Sequence, residues 1–105
     1  MGYLTRYNLE RTKGGSHDAF IARLSDLGLS TDSLDGSEPV KWYDHDADIQ
    51  SAMLATGVTE VDLSGEGEEQ GDVWDKEYRL VNGAVTVAEY GYELVRKDTP
   101  EVTTL

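Results

Sequence analysis

The apolar positions of this chain change period along its length, and each change marks an element. Tyr3, Thr5, Tyr7 and Leu9 alternate with Leu4, Arg6, Asn8 and Glu10, the two-residue period of a strand with aromatic side chains on one side. Lys13-Gly14-Gly15 breaks that strand. Ser16 suits a helix N-cap and Asp18 falls in the positive first turn; Phe20, Ile21, Leu24 and Leu27 then follow at helical spacing, and Gly28 stops the helix. Residues 30–39 are polar and read as a loop. Val40 to Tyr43 reads as a short strand in which Val40 and Trp42 share a face. Asp44 caps a second helix with Ile49, Ala52 and Met53 as its buried stripe and Gly57 at its end.

The second half of the chain returns to the strand period. In Val58–Gly67, Val61 and Leu63 point inward while Glu60 and Asp62 point outward. Gln70-Gly71 turns the chain. Val73–Val81 and Ala84–Val95 flank Asn82-Gly83, the dipeptide of a two-residue hairpin turn. That turn pairs Val81 with Ala84 and, counting back, Leu80 with Val85, Tyr78 with Val87, Lys76 with Glu89 and Trp74 with Gly91. Trp74, Tyr78, Leu80, Val85 and Val87 then share one face. Val73, Asp75, Glu77, Arg79, Thr86, Tyr90 and Tyr92 share the other.

The order β-α-β-α-β-β-β predicts an α+β domain over residues 1–96, followed by a flexible tail over 97–105. Its economical packing is a single antiparallel or mixed sheet with two helices on one face, similar to a ferredoxin-like sandwich with an extra strand. The face without helices would display the carboxylates.

Charge sharpens this picture. The 105 residues carry a formal net charge of −12, from 21 acids against nine bases. Residues 1–29 are nearly balanced, whereas Lys41 and Lys76 are the only bases between residues 32 and 77. Such a field repels free nucleic acid and anionic membranes and favours basic proteins. The chain has no cysteine, which excludes disulfides and thiolate metal sites and fits a reducing cytosol. No apolar run reaches the length of a membrane span, and the first residues show no signal pattern.

Catalytic signatures are missing from the pattern. Asp44, Asp46 and Asp48 imitate the start of a calcium loop, but the sixth place holds Ile49 and the twelfth Ala55. Helix capping explains those acids. His17 and His45 each open a predicted helix, outside any HxH or HExxH arrangement. Gly65, Gly67 and Gly71 form a GxGxxxG run, but three carboxylates sit within it and no helix follows. The expectation is no catalytic residue, no metal and no cofactor.

The remaining feature is the row Glu60, Asp62, Glu66, Glu68, Glu69 and Asp72. Alternate residues on a strand lie about 6.7 Å apart, so such a row repels itself and does nothing for folding. A nucleic-acid strand offers one charge per roughly 3.4 Å, so neighbouring acids would have to complete an imitation of it. Trp42, Tyr43, Tyr90 and Tyr92 are the candidate aromatic anchors of such a surface.

Lys41–Ile49, KWYDHDADI, and Leu63–Trp74, LSGEGEEQGDVW, carry a resemblance. The chain resembles, over roughly residues 1–87, a group of small phage and prophage proteins with a Lys-Trp-Tyr-x-His-x-x-Asp segment and a Gly-Glu-Gly-Glu-Glu-x-Gly-Asp-x-Trp segment. The resemblance implies a mobile-element protein acting in the cytosol of a bacterial host, and it transfers no catalytic role. Small acidic phage proteins often block host defence by occupying nucleic-acid-binding surfaces, as several anti-CRISPR proteins do.

The resulting expectation is a non-enzymatic acidic protein that covers a basic, nucleic-acid-binding surface of a host or phage protein. Direct binding of nucleic acid is not expected. One alternative is a metal-dependent hydrolase or nuclease using Asp44, His45, Asp46 and the Glu66–Glu69 cluster. Another is an accessory phage protein that self-associates through Tyr90 and Tyr92.

Overall fold

The computed structural model describes residues 5–29, 31–40, 42, 44–67, 73–91 and 101–105. The fold is α+β: one antiparallel sheet with two helices packed on one face. The described strands are β1 (Thr5–Lys13), β2 (Asp35–Val40), β3 (Glu60–Gly67), β4 (Val73–Val81), β5 (Ala84–Gly91) and β6 (Glu101–Thr104), in the spatial order β2-β1-β3-β4-β5-β6.

β2 and β3 flank β1 and both run antiparallel to it. They are therefore parallel to each other, joined by helix α2 (His45–Thr56), with β1 between them. From β3 onward the sheet is a meander. The ferredoxin-like order expected from the sequence is not confirmed, and the described strands outnumber the five expected.

Local chemistry explains the helices. Ser16 Oγ accepts from the Ala19 amide at 3.2 Å and opens α1 (His17–Asp26). Gly57 closes α2 at a φ of 76°, a left-handed conformation that favours glycine, with its amide on the Met53 carbonyl. Phe20, Leu24, Ile49, Ala52 and Met53 are fully buried beneath the helices, against Val61, Leu63, Tyr78 and Val85 of the sheet. Burying each large apolar side chain is worth about 1.5–3 kcal/mol, so this stripe fixes which face the helices take.

The hairpin register is the one the Asn82-Gly83 turn dictates, from Val81↔Ala84 to Trp74↔Gly91. Asn82 itself has a φ of 52°, as that turn requires.

Two segments differ from expectation. The short strand expected at 40–43 lies earlier, as β2 over residues that read as a polar loop. Edge strands bond on one side only, so Pro39 is tolerated, and the pairing with β1 is irregular. Trp42 lies outside the strand. The last five residues of the expected flexible tail are built into the fold. Ala88 faces Val102 and Val87 faces Thr103 across β5–β6, and the Leu105 amide donates to the Val85 carbonyl at 2.8 Å. The β-branched run Val102-Thr103-Thr104 suits an edge strand.

Candidate functional site

The helices cover the sheet face of Tyr7, Leu63 and Tyr78. The other face is open along the described strands and carries Glu60, Asp62 and Glu66 of β3 with Asp75 and Glu77 of β4. The outward placement read from the alternation is therefore present, but its charge is not bare.

Arg79 lies opposite Glu60 and binds three carboxylates: Glu60 at 3.1 Å, Asp62 at 3.1 Å and Glu77 at 2.8 Å. From the other side Arg11 reaches Glu60 at 3.3 Å and Asp62 at 3.8 Å, and Lys13 reaches Glu60 at 3.5 Å. A bulge in β1 makes this possible. Leu9 pairs with Leu63, Arg11 pairs with Asp62, and Glu10 is the extra residue. Without it, strict alternation would turn Arg11 toward the core; with it, Arg11 joins the open face.

Glu60 and Asp62 are thus cross-linked within the sheet, which corrects the expectation of a self-repelling row. The remaining acids differ. Glu66, Asp75 and Glu10 are exposed and form no ion pair among the described residues. Glu10, Asp62, Asp75 and Glu77 line a shallow depression of about 430 Å³ with Tyr90. The Tyr90 phenol donates to Glu77, which raises its pKa above the ordinary value. Glu68, Glu69, Asp72, Tyr43 and Tyr92 lie outside the described residues.

Trp42 is not on this face. It is buried behind the sheet, 6% exposed, and its indole donates to Asp48 Oδ2 at 2.8 Å. Its ring meets Tyr7 edge-on at 5.1 Å. The aromatic anchor expected there is core architecture.

Trp42 belongs to a buried polar centre where the N-terminus of α2 meets β4. The Trp42 carbonyl accepts from the Tyr7 hydroxyl at 3.1 Å and from His45 Nδ1 at 3.0 Å. That bond places the imidazole proton on Nδ1 and leaves the Nε2 lone pair to accept from the Lys76 ammonium at 2.8 Å. Lys76 also meets Asp46 Oδ1 at 3.1 Å, and Tyr78 donates to the same oxygen at 2.5 Å. Trp74 stacks on His45 at 5.3 Å with planes 13° apart, and the ammonium sits 5.1 Å from the same indole.

The electrostatics follow from the geometry. Burial pushes the His45 pKa down, and the Lys76 charge adds to this against the opposing Trp42 carbonyl, Asp46 and Glu89. Burial also works against the Asp46 charge, yet the hydrogen bonds from Tyr78 and Lys76, with the Lys76 charge, outweigh it and hold its carboxyl low. Burial and the Asp46 carboxylate push the Tyr78 phenol far above its ordinary range.

This centre does not suit a metal. A Lys76 ammonium occupies the lone pair of His45 that would face a cation. Asp46 lies behind the sheet, whereas Glu66 projects from the open face, so these two described members of the clusters proposed from sequence do not converge. Among the described residues no group of three or more His, Asp or Glu is placed to hold a metal ion. No described helix is long and apolar enough to cross a membrane. Comparison with family models, with curated proteins and with solved structures returns no match.

Sequence reading missed Arg79, Arg11 and Lys76. Arg79 was visible on the outward face of β4, but no turn dipeptide such as Asn-Gly announces a β3–β4 register in the sequence. Lys76 was visible only as the cross-strand partner of Glu89.

Proposed function

We propose that this chain is a non-enzymatic binding protein whose open sheet face receives a basic surface of another protein. The contact centres on Glu10, Glu66, Asp75 and Tyr90 rather than on Glu60 and Asp62. The observation that supports it is the division of the sheet: two helices fill one face, and the other keeps exposed carboxylates without ion pairs among the described residues, beside a depression walled by Tyr90. Charge of this kind speeds encounter with a basic partner, and the aromatic ring lengthens residence.

The imitation of nucleic acid is the narrower form of this reading. Arg11, Lys13 and Arg79 count against it at the Glu60 end, where a phosphate backbone would present bare charge. The resemblance of the Lys41–Ile49 and Leu63–Trp74 segments to phage and prophage proteins favours a bacterial cytosol as the setting. An anti-defence protein that covers a basic, nucleic-acid-binding host surface is the biological form we propose.

The test is a pull-down from bacterial lysate at 50 and 500 mM salt with the wild type and with Glu66→Lys/Asp75→Lys. A partner retained by the wild type at low salt, lost at high salt and lost to the double variant supports the reading. Equal retention by a double variant of unchanged circular dichroism overturns it.

A further inference from the structure

The His45–Lys76 contact has a consequence independent of the open face. A neutral imidazole and an ammonium share one proton position 2.8 Å apart. The contact is attractive only while Nε2 keeps its lone pair. If Nε2 gains a proton, the hydrogen bond is lost and two cations face each other inside a largely buried site. We infer that His45 and Lys76 form an acid-sensitive latch, which holds the N-terminus of α2 on β4 at neutral pH and releases it when His45 takes up a proton.

The surroundings decide how it works. From α2, Asp46 Oδ1 lies 3.6 Å from His45 Nε2 and already receives Lys76 and Tyr78. From β5, Glu89 stands opposite Lys76 and favours a charged imidazole from farther away. From β1, Tyr7 packs its ring 5.6 Å from the imidazole and bonds the same Trp42 carbonyl. Asp48 is taken by the Trp42 indole. Asp46 Oδ1 already accepts from Lys76 and Tyr78, so a protonated His45 competes for it, and two cations at hydrogen-bond distance require Lys76 or the helix end to move.

The device carries its own reporter. His45 lies against both tryptophans of the chain, 5.3 Å from Trp74 and 5.8 Å from Trp42. Movement of the helix end therefore changes the emission of both indoles.

The test is a titration from pH 8 to pH 4.5, following the imidazole Cε1–H resonances by NMR together with tryptophan emission. There are two histidines, and the resonance lost in His45→Gln assigns His45. The latch predicts that His45 titrates below its ordinary value of 6.5 and that emission changes at the His45 midpoint. Lys76→Met removes the opposing charge, and the His45 midpoint then rises by about one pH unit. His45→Gln, whose amide oxygen can still accept from Lys76, loses the emission change. A His45 midpoint at or above its ordinary value of 6.5, or one unmoved in a folded Lys76→Met variant, overturns the inference. If neither variant folds, the wild-type titration alone decides: emission constant across the His45 midpoint also overturns it.

Discussion

Tyr78 and Asp46 meet where the sheet touches the second helix, the phenol donating to Oδ1 at 2.5 Å beside the Lys76 ammonium. Lys76 brings a charge into a site where its side chain is 10% exposed, and Asp46 is its counter-ion. Removing the two partners therefore has unequal effects. Asp46→Asn leaves the ammonium without an anion and lowers stability by about 1–3 kcal/mol. Lys76→Met leaves Asp46 39% exposed and still bonded by Tyr78, so water can serve the carboxylate and the cost is smaller than that of Asp46→Asn. Urea unfolding of both variants at pH 7.5 checks the order.

Tyr78 also sets an alkaline limit. Its folded pKa is raised above the ordinary value of 10. A raised pKa means that the contribution is fully present below pH 10 and is lost as pH rises above it, since the unfolded chain then gives up the proton first. The melting temperature is expected to fall between pH 9.5 and 11.5, and Tyr78→Phe, though less stable at pH 7.5, shows a shallower fall.

On the open face, Arg79 joins Glu60, Asp62 and Glu77. In the wild type, added salt screens attraction there. In Arg79→Gln the carboxylates repel one another and salt screens that repulsion. The variant is expected to lose about 1 kcal/mol in 20 mM salt and to recover part of it in 500 mM salt. Thermal melts at both ionic strengths give the sign.

Gly65 lies under Trp74, and a methyl group added there would run into the indole ring. Gly65→Ala displaces that ring from its stack on His45 and costs about 1–3 kcal/mol. A changed tryptophan emission with a lowered melting temperature is the expected result.

These contacts show where sequence reading succeeds and where it stops. Local signals were legible: the Ser16 cap, the Ile49-Ala52-Met53 stripe, and the β4–β5 register set by Asn82-Gly83. Each depends on residues a few positions apart. The Glu10 bulge carries no such signal, and by shifting the phase of β1 it brings Arg11 to the acids. The strand at 35–40 was hidden because Gly36 and Pro39 suit an edge and read as a loop. The carboxylates were legible as outward-facing, but their cations come from β1 and β4, whose registers against β3 no local motif fixes. His45 read only as a residue that opens a helix, because the helix that carries it shows nothing of β4 beneath.

We propose that the open sheet face, at its Glu66–Asp75 end, receives basic protein surfaces. The most direct measurement is the amide chemical-shift map of the protein titrated with a deca-arginine peptide in 50 mM salt. Shifts concentrated at Glu66, Val73, Asp75 and Tyr90, vanishing in 500 mM salt, are the predicted result. Shifts concentrated on the acidic ends of the two helices, with the open face unperturbed, would contradict the claim.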